Sequence, residues 1–339
     1  WRRGELVRLD KTPDYWRKDL PYLDRVVVRF INDEATRTAA IEKGEAHVAG
    51  FGGVPYNDAK KLGTLPSIEV TTKGYEMISP VVELIMNTKK APFDNQKVRQ
   101  AVAYAIDRQF IIDNIWFGYG KPATGPISSN FAPSGIYTDK VTKYQVPDGI
   151  ERANKLLDEA GFPKKDGGIR FEMVHDITPY GPEWQRFGEV VQQRLALIGI
   201  KASLRYEDVA TWLKRTYTDY DFFLTSNFLY NLPDPVLGVH RAIHGKLIKQ
   251  GTVFVNGSQW SDPRSDELMD NYRKIFSDPD NDFTASMLRD LERKGPVEAD
   301  HIVGFMLEKA RAHGIESGLH QIAYTHLKAY EERRKAGRA

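Results

Sequence analysis

The chain has 339 residues, 41% hydrophobic, 28% charged and 11% aromatic, enough for roughly two globular domains. Its 48 basic and 46 acidic side chains leave a formal net charge of +2, a balance that argues against nucleic acid or an anionic membrane surface as partner. Cysteine is absent, which removes disulfides, thiol catalysis and cysteine-containing zinc sites, and no apolar run approaches the roughly 20 residues that span a bilayer.

Residues 1–24 carry aromatics and prolines with nothing before them to pack against, and read as the middle of a domain. The β-branched alternation of LDRVVVRFI (23–31) predicts a strand, and a short helix follows with Asp33 as N-cap and Gly44 as stop. EAHVAGF (45–51) predicts a strand, VPYNDAKKLG (54–63) a small helix, and SIEVTTKGYEM (67–77) and VELIMNT (82–88) two more strands. Val98, Ala101, Val102, Ala105 and Ile106 then lie on one face of a helix for which Asp94 is the expected cap. Asp107 restarts the chain as the next cap, Ile111, Ile112, Ile115 and Trp116 form the second buried stripe, and Gly118 and Gly120 end it.

From about residue 149 helices and strands alternate. IERANKLLDEAG is helical, IRFEMVHD a strand, and PEWQRFGEVVQQRLALIG a long helix lined by Trp184, Phe187, Val191, Leu195 and Ile198. IKASLRYED (strand), VATWLKRTY (helix) and YDFFLTSN (strand) complete an α/β lobe with a layered sheet. A proline-rich loop and the helical DELMDNYRKIF lead to a break near residue 280, after which 283–339 is helical in pattern throughout.

Several of these segments together resemble the family 5 solute-binding proteins of ABC importers, the dipeptide and oligopeptide binders. Asn87-Thr88, Pro92-Phe93-Asp94, Val98-Arg99-Gln100-Ala101 and Ala105-Ile106-Asp107-Arg108 carry the resemblance, with LLDEAGFP and SNFLYNLPDP in family order over residues 1 to about 278. It implies an α/β, two-lobed periplasmic-binding-protein-like fold with an incomplete first lobe, followed by an all-α C-terminal segment. The expected divisions are 1–128 as partial lobe I, 129–228 as lobe II, 229–280 as the return crossing with more of lobe I, and 283–339 as the helical tail. The family is longer, so the chain is expected to lack an N-terminal third or more and the C-terminal end of lobe I. Gly/Pro clusters at the crossings near 121–128 and 227–236 would absorb the dihedral changes of closure.

The same resemblance implies a peptide or other small solute as ligand, ABC permease subunits as partners, a periplasmic or extracellular-face location, a monomer, and no cofactor, metal or nucleic acid. Dipeptide binders clamp both charged ends of the peptide with an arginine and an aspartate. Thr178 and Asn231 stand at those positions here, so a neutral or polyhydroxylated solute, or a longer peptide held by its backbone, is expected instead. Tyr75, Tyr180, Trp184, Tyr230 and Asp234 complete the candidate site, with Trp212 a weaker aromatic candidate.

Residues 283–339 resemble the C-terminal helical domain of ketopantoate reductase, through Ser286-Met287-Leu288, Asp290, Glu298-Ala299-Asp300 and the closing YTHLKAYEERR. In that family a serine and a glutamate at the positions of Ser286 and Glu298 contact substrate. Hydride transfer needs a glycine-rich dinucleotide turn, which GFGG and GYGK do not supply, so helix caps and surface charge are the expected roles. His240 and His244 stand four apart as metal pairs do, but no third ligand is evident, and ordinary surface or loop histidines are expected. The leading expectation is therefore a non-enzymatic, truncated solute-binding protein joined to a piece of a second gene. The alternatives are a reductase remnant and a chimera with neither activity.

Overall fold

A computed structural model describes residues 1–50, 52–74, 78–134, 136–231, 236–277, 294–297, 299–314 and 318–338. Tyr75, Asp234, Ser286 and Glu298 lie outside the described residues. The chain divides into two compact units, Trp1–Asp262 and Pro263–Ala339.

The first unit begins with a two-stranded antiparallel ribbon of β1 (Leu6–Asp10) and β2 (Arg25–Arg29). Every β2 residue is exposed, and Asp10 accepts hydrogen bonds from Arg8 Nε at 2.7 Å and Arg25 Nε at 2.6 Å. β1 is not among the expected elements, because Leu6, Val7 and Leu9 among charges give a weak alternating signal. Helix α1 (Glu34–Glu42) is capped by Asp33, which accepts from the Thr36 amide at 2.7 Å, as expected. The strands expected over 45–51 and 67–77 are absent from the described residues there, which run as turns and coil around α2 (Tyr56–Leu62). The Ala46 amide folds back onto the Ala40 carbonyl and Gly53 onto Gly50, so this backbone finds local partners instead of a sheet edge.

The central sheet has the order β3-β6-β4-β5, from β3 (Val81–Met86), β4 (Phe171–Asp176), β5 (Ile200–Arg205) and β6 (Leu224–Leu229). β3 pairs antiparallel with β6, while β6, β4 and β5 run parallel. Parallel neighbours need a crossover, supplied between β4 and β5 by α6 (Pro182–Ala196). Its buried residues include Trp184, Phe187, Val191 and Leu195, the expected stripe. They join the buried faces of α3 (Gln96–Ala105), α4 (Arg108–Asn114) and α5 (Gly149–Glu159) in one hydrophobic core. Asp107 caps α4 as expected, but the cap of α3 is Asn95, not Asp94: Asn95 Oδ1 accepts from the Lys97 amide at 2.9 Å. Asp94 instead contributes its carbonyl to Arg99 Nη1 at 3.0 Å.

Asn87 ties the end of β3 to the chain leading into β6, donating to the Tyr220 and Phe222 carbonyls at 2.9 and 3.2 Å and accepting from Gln259 Nε2 at 3.0 Å. Arg170 is buried and fully used, with Nε on the Ile198 carbonyl at 3.0 Å, Nη1 on Asp158 at 2.5 Å and on the Phe162 carbonyl, and Nη2 on Asn154 Oδ1 at 3.0 Å. Asn256, within the NGS triplet, is buried with its amide on the His244 and Trp260 carbonyls, which leaves no exposed acceptor for glycosylation.

The second unit is helical in its described parts. It holds α9 (Pro263–Ser277), which follows α7 (Val209–Lys214) and the short turn α8 (Arg241–Ile243) of the first unit, then α10 (Phe305–Ala312) and α11 (Gly318–Lys335). Val297, Ala299 and Leu307 are buried, and Asp300 joins α11 through Tyr324 Oη at 2.6 Å and Lys328 Nζ at 2.7 Å.

Close approach of α6 to the end of β4 depends on Gly188. A Cβ there would stand 2.1 Å from Ile177 Cδ1, and Ile177 is itself buried. Gly188→Ala is expected to cost about 1–3 kcal/mol by overpacking, read as a lower midpoint in urea denaturation.

Candidate functional site

β4 and β6 are paired only through His175 with Leu224 and Asp176 with Thr225. β6 then continues through Asn227 and Phe228 to Leu229 while β4 has ended. In open α/β sheets, space for a ligand lies outside the carboxyl ends of such strands. A cavity of about 610 Å³ opens there.

Its walls are aromatic: Tyr56, Trp116, Tyr180, Trp184, Phe228 and Tyr230, with Phe254. Trp184 meets Phe228 edge-on at 4.8 Å between ring centroids and Tyr180 at 5.9 Å, and Tyr180 lies nearly parallel to Phe228 at 6.5 Å. Gly181, at φ +119° and ψ −179°, turns the chain between Tyr180 and Pro182 in a conformation essentially restricted to glycine. Trp184 thus stands in the first turn of α6, four residues after Tyr180. Phe254 is held at φ +60°, uncommon for so bulky a residue, and lines the cavity.

The polar groups are few. Glu183, Asn227 and Arg241 line the same space. A second cavity of about 210 Å³ shares Asn227, Phe228, Arg241 and Phe254 and adds Glu83. Burial pushes the Glu83 carboxyl up to about 7, the nearby Arg241 charge pulling the other way. Asn227 is committed internally, its Nδ2 donating to Tyr217 Oη at 3.1 Å and its Oδ1 accepting from the Phe228 amide at 2.8 Å.

Of the residues nominated from sequence, Tyr180, Trp184 and Tyr230 line the larger cavity together. Thr178 and Asn231 do not line it. Thr178 is fully buried, its hydroxyl on the Ser226 carbonyl and 2.7 Å from Ser226 Oγ. Asn231 accepts from the Ser128 amide at 2.6 Å, donates to the Leu229 carbonyl at 3.3 Å, and places its own amide on the Ile78 carbonyl. It ties the end of β6 to the segments around Ser128 and Ile78. Trp212 is fully buried behind the wall, its indole donating to Thr225 Oγ1 at 2.8 Å and its ring centroid 5.7 Å from that of Tyr180. His244, expected at the surface or in a loop, is buried, its Nδ1 accepting from the Lys246 amide at 3.1 Å.

Sequence reasoning missed Tyr56, Trp116, Glu183, Asn227, Phe228, Arg241 and Phe254. One had a usable signal: Phe228 shares the face of Tyr230 by the two-residue period of a strand. Arg241 had none, because its position depends on how the return segment folds over the strand ends.

Sheet, crossover helix and aromatic chamber define an α/β solute-binding scaffold. Residues 1–245 match the model of bacterial extracellular solute-binding proteins, family 5 Middle, and the chain belongs to that family. Residues 255–331 match the ketopantoate reductase PanE/ApbA C-terminal model. Among curated relatives, the glutathione-binding protein GsiB of Salmonella choleraesuis (strain SC-B67) is 33% identical over 211 residues, covering 61% of this chain and 38% of that protein. GsiB of Escherichia coli (strain K12) matches to the same extent. The chain thus spans about two fifths of the length of these relatives. The oligopeptide-binding protein AppA from Bacillus subtilis, solved with a nonapeptide, superposes with TM-score 0.65 at 25% identity, over 80% of this chain and 52% of that one. AgaA from A. tumefaciens R10, solved with agropinic acid, gives 0.61 at 27% identity, over 80% and 52%.

Two predictions follow from the strand ends. Thr178→Val leaves the Ser226 carbonyl without its buried donor and the Ser226 hydroxyl without its acceptor, and is expected to cost about 1–3 kcal/mol in urea denaturation, with Thr178→Ser close to the parent. His175 is buried with both ring nitrogens lacking hydrogen-bond partners, and burial lowers it to about 3 from 6.5. Between those values the unfolded chain binds the proton that the folded chain refuses, so its contribution is full above pH 6.5 and is lost as pH falls toward 3. His175→Met is expected to remove this part of the acid sensitivity, seen as the difference between the two stability–pH curves.

Proposed function

We propose that the chain binds a small solute or peptide in the aromatic cavity, as a member of the extracytoplasmic binding proteins that serve ABC importers. The observation that carries it is the cavity's position: aromatic walls and few polar groups at the carboxyl ends of parallel β4 and β6. Tyr180, Trp184 and Tyr230 are the proposed contacts from the sequence, with Phe228 beside them. Stacked aromatic faces suit sugar, peptide or ring-bearing solutes, and the function involves binding without covalent chemistry. Permease subunits are the proposed partners of the complete protein, and the external face of the membrane its proposed location. The segments 121–128 and 227–236, joined by the Ser128–Asn231 hydrogen bond, are the proposed hinge. Ketopantoate reduction is not proposed, since hydride transfer needs a glycine-rich dinucleotide turn and neither GFGG nor GYGK stands in that context.

Because Trp116 and Trp184 both line the cavity, occupancy should change tryptophan emission. Titration with glutathione, short peptides, sugars and opines, by fluorescence and calorimetry, is expected to find saturable binding of at least one class. Phe228→Ala is expected to weaken it about tenfold, the scale of one lost aromatic contact. Absence of heat and of any emission change across the panel, with a folded sample, would refute retained binding.

A further inference from the structure

Arg241 is unlike the other buried or half-buried arginines near the strand ends. Arg205 grips Asp176 with two hydrogen bonds of 2.6 and 3.1 Å. Arg215 is shared among Glu207, Asp221 and Asp176. Arg241 has no hydrogen bond or ion pair among the described residues, and its Nε is buried without a partner. It stands at the wall shared by the two cavities, beside Asn227, Phe228 and Phe254. A half-buried guanidinium whose Nε has no partner is costly to leave unpaired, and its planar fork of donors matches a carboxylate. Asn227 is a neutral group engaged with Tyr217 and the Phe228 amide, and so supplies no charge to balance it. Glu83 is the acidic neighbour, lining the smaller cavity without forming an ion pair with Arg241. Glu83 titrates near neutral pH, and the charge it carries once ionised disfavours a doubly charged anion such as phosphate more than a single carboxylate.

We propose that Arg241 anchors a carboxylate of the solute, whose apolar or aromatic body lies against Tyr180, Trp184 and Phe228. This rests on the solute-binding function proposed above and narrows it to organic acids, free peptide termini included. It reverses the neutral solute expected from Thr178 and Asn231. The charged partner enters from the return segment rather than from those two positions.

The probe is a matched pair, N-acetyl-Ala-Phe as the free acid and as its carboxamide, titrated calorimetrically into the full chain, with inorganic phosphate as a third probe. The parent is expected to bind the acid about 10- to 100-fold more tightly than the amide, the scale of a charged hydrogen bond. Arg241→Gln should bind both equally, and Arg241→Lys should keep part of the preference. Since Arg241 pairs with nothing in the described structure, Arg241→Gln should match or exceed the parent's urea midpoint, which separates lost binding from lost folding. Equal binding of acid and amide by the parent, or an acid preference that survives Arg241→Gln, overturns the anchor and leaves solute binding standing. Phosphate binding tighter than the acid overturns the carboxylate assignment. Binding of neither member of the pair, together with silence across the wider solute panel, takes down solute binding and the anchor with it.

Discussion

β4 leaves β6 after two paired residues but stays with β5 for one more, since the Ile177 amide still reaches the Arg205 carbonyl at 2.9 Å. This divergence is the constraint on which the site depends. Below it the sheet is continuous; above it β6 keeps β3 as neighbour on one side and, among the described residues, has no strand on the other. Buried backbone carbonyls cannot be left bare, and the Thr178 hydroxyl serves the first one past the split, that of Ser226. Thr225 does the same one residue earlier, donating to the Asp176 carbonyl at 2.8 Å while accepting from Trp212. Side chains therefore complete a sheet edge that strand pairing abandons, and the space beyond becomes a chamber instead of a fourth stretch of core. Thr178 belongs to the construction of that chamber, not to its lining.

The electrostatics follow the same geography. Where arginines hold the frame, carboxylates and carbonyls accompany them, as around Arg170, Arg205 and Arg215. Even there burial dominates one partner: Asp176 is pushed above the usual carboxylate range by desolvation, with the Arg205 hydrogen bonds opposing it. At the chamber the balance is different. Glu83 is held near neutrality by burial, Arg241 lacks a partner among the described residues, and the rest of the wall is aromatic. A low-dielectric wall strengthens any charge pairing that takes place against it. One unpaired donor group in such surroundings can therefore discriminate strongly among solutes that the aromatic surface alone would accept.

Much of the fold was legible because its helices and parallel strands follow simple periods. The α3 face, the α4 cap at Asp107, the α6 stripe and the alternation from residue 149 onward all depend on neighbours three, four or two residues away. The expected strands at 45–51 and 67–77 failed for the complementary reason. A β-prone run becomes a strand only where another edge receives it, and the described residues there close on local turns. The misplaced cap at Asp94 is a smaller case: Asp94 and Asn95 are both suitable residues, and the choice was made by where Phe93 buries and Arg99 reaches.

The segment that made the family recognisable is not the segment that forms the chamber. Asn87 fastens β3 to the loops before β6 and around Gln259, Phe93 is fully buried, Arg99 binds the Phe93 and Asp94 carbonyls, and Asp107 caps α4. Arg108 donates to the Ala103 and Ile106 carbonyls, and Arg194 on α6 closes the end of α3 through the Ala105 carbonyl at 2.9 Å. These are satisfied structural roles, spent on the frame and not on the chamber. The chamber draws instead on Tyr180 and Trp184 after β4, Phe228 and Tyr230 along β6, and Arg241 in the return segment, where spacing within the sequence imposes no common pattern. A motif that builds the frame identifies the family and is silent on the ligand. On the proposed function, the choice of solute rests with residues that only the divergence of β4 from β6 brings together.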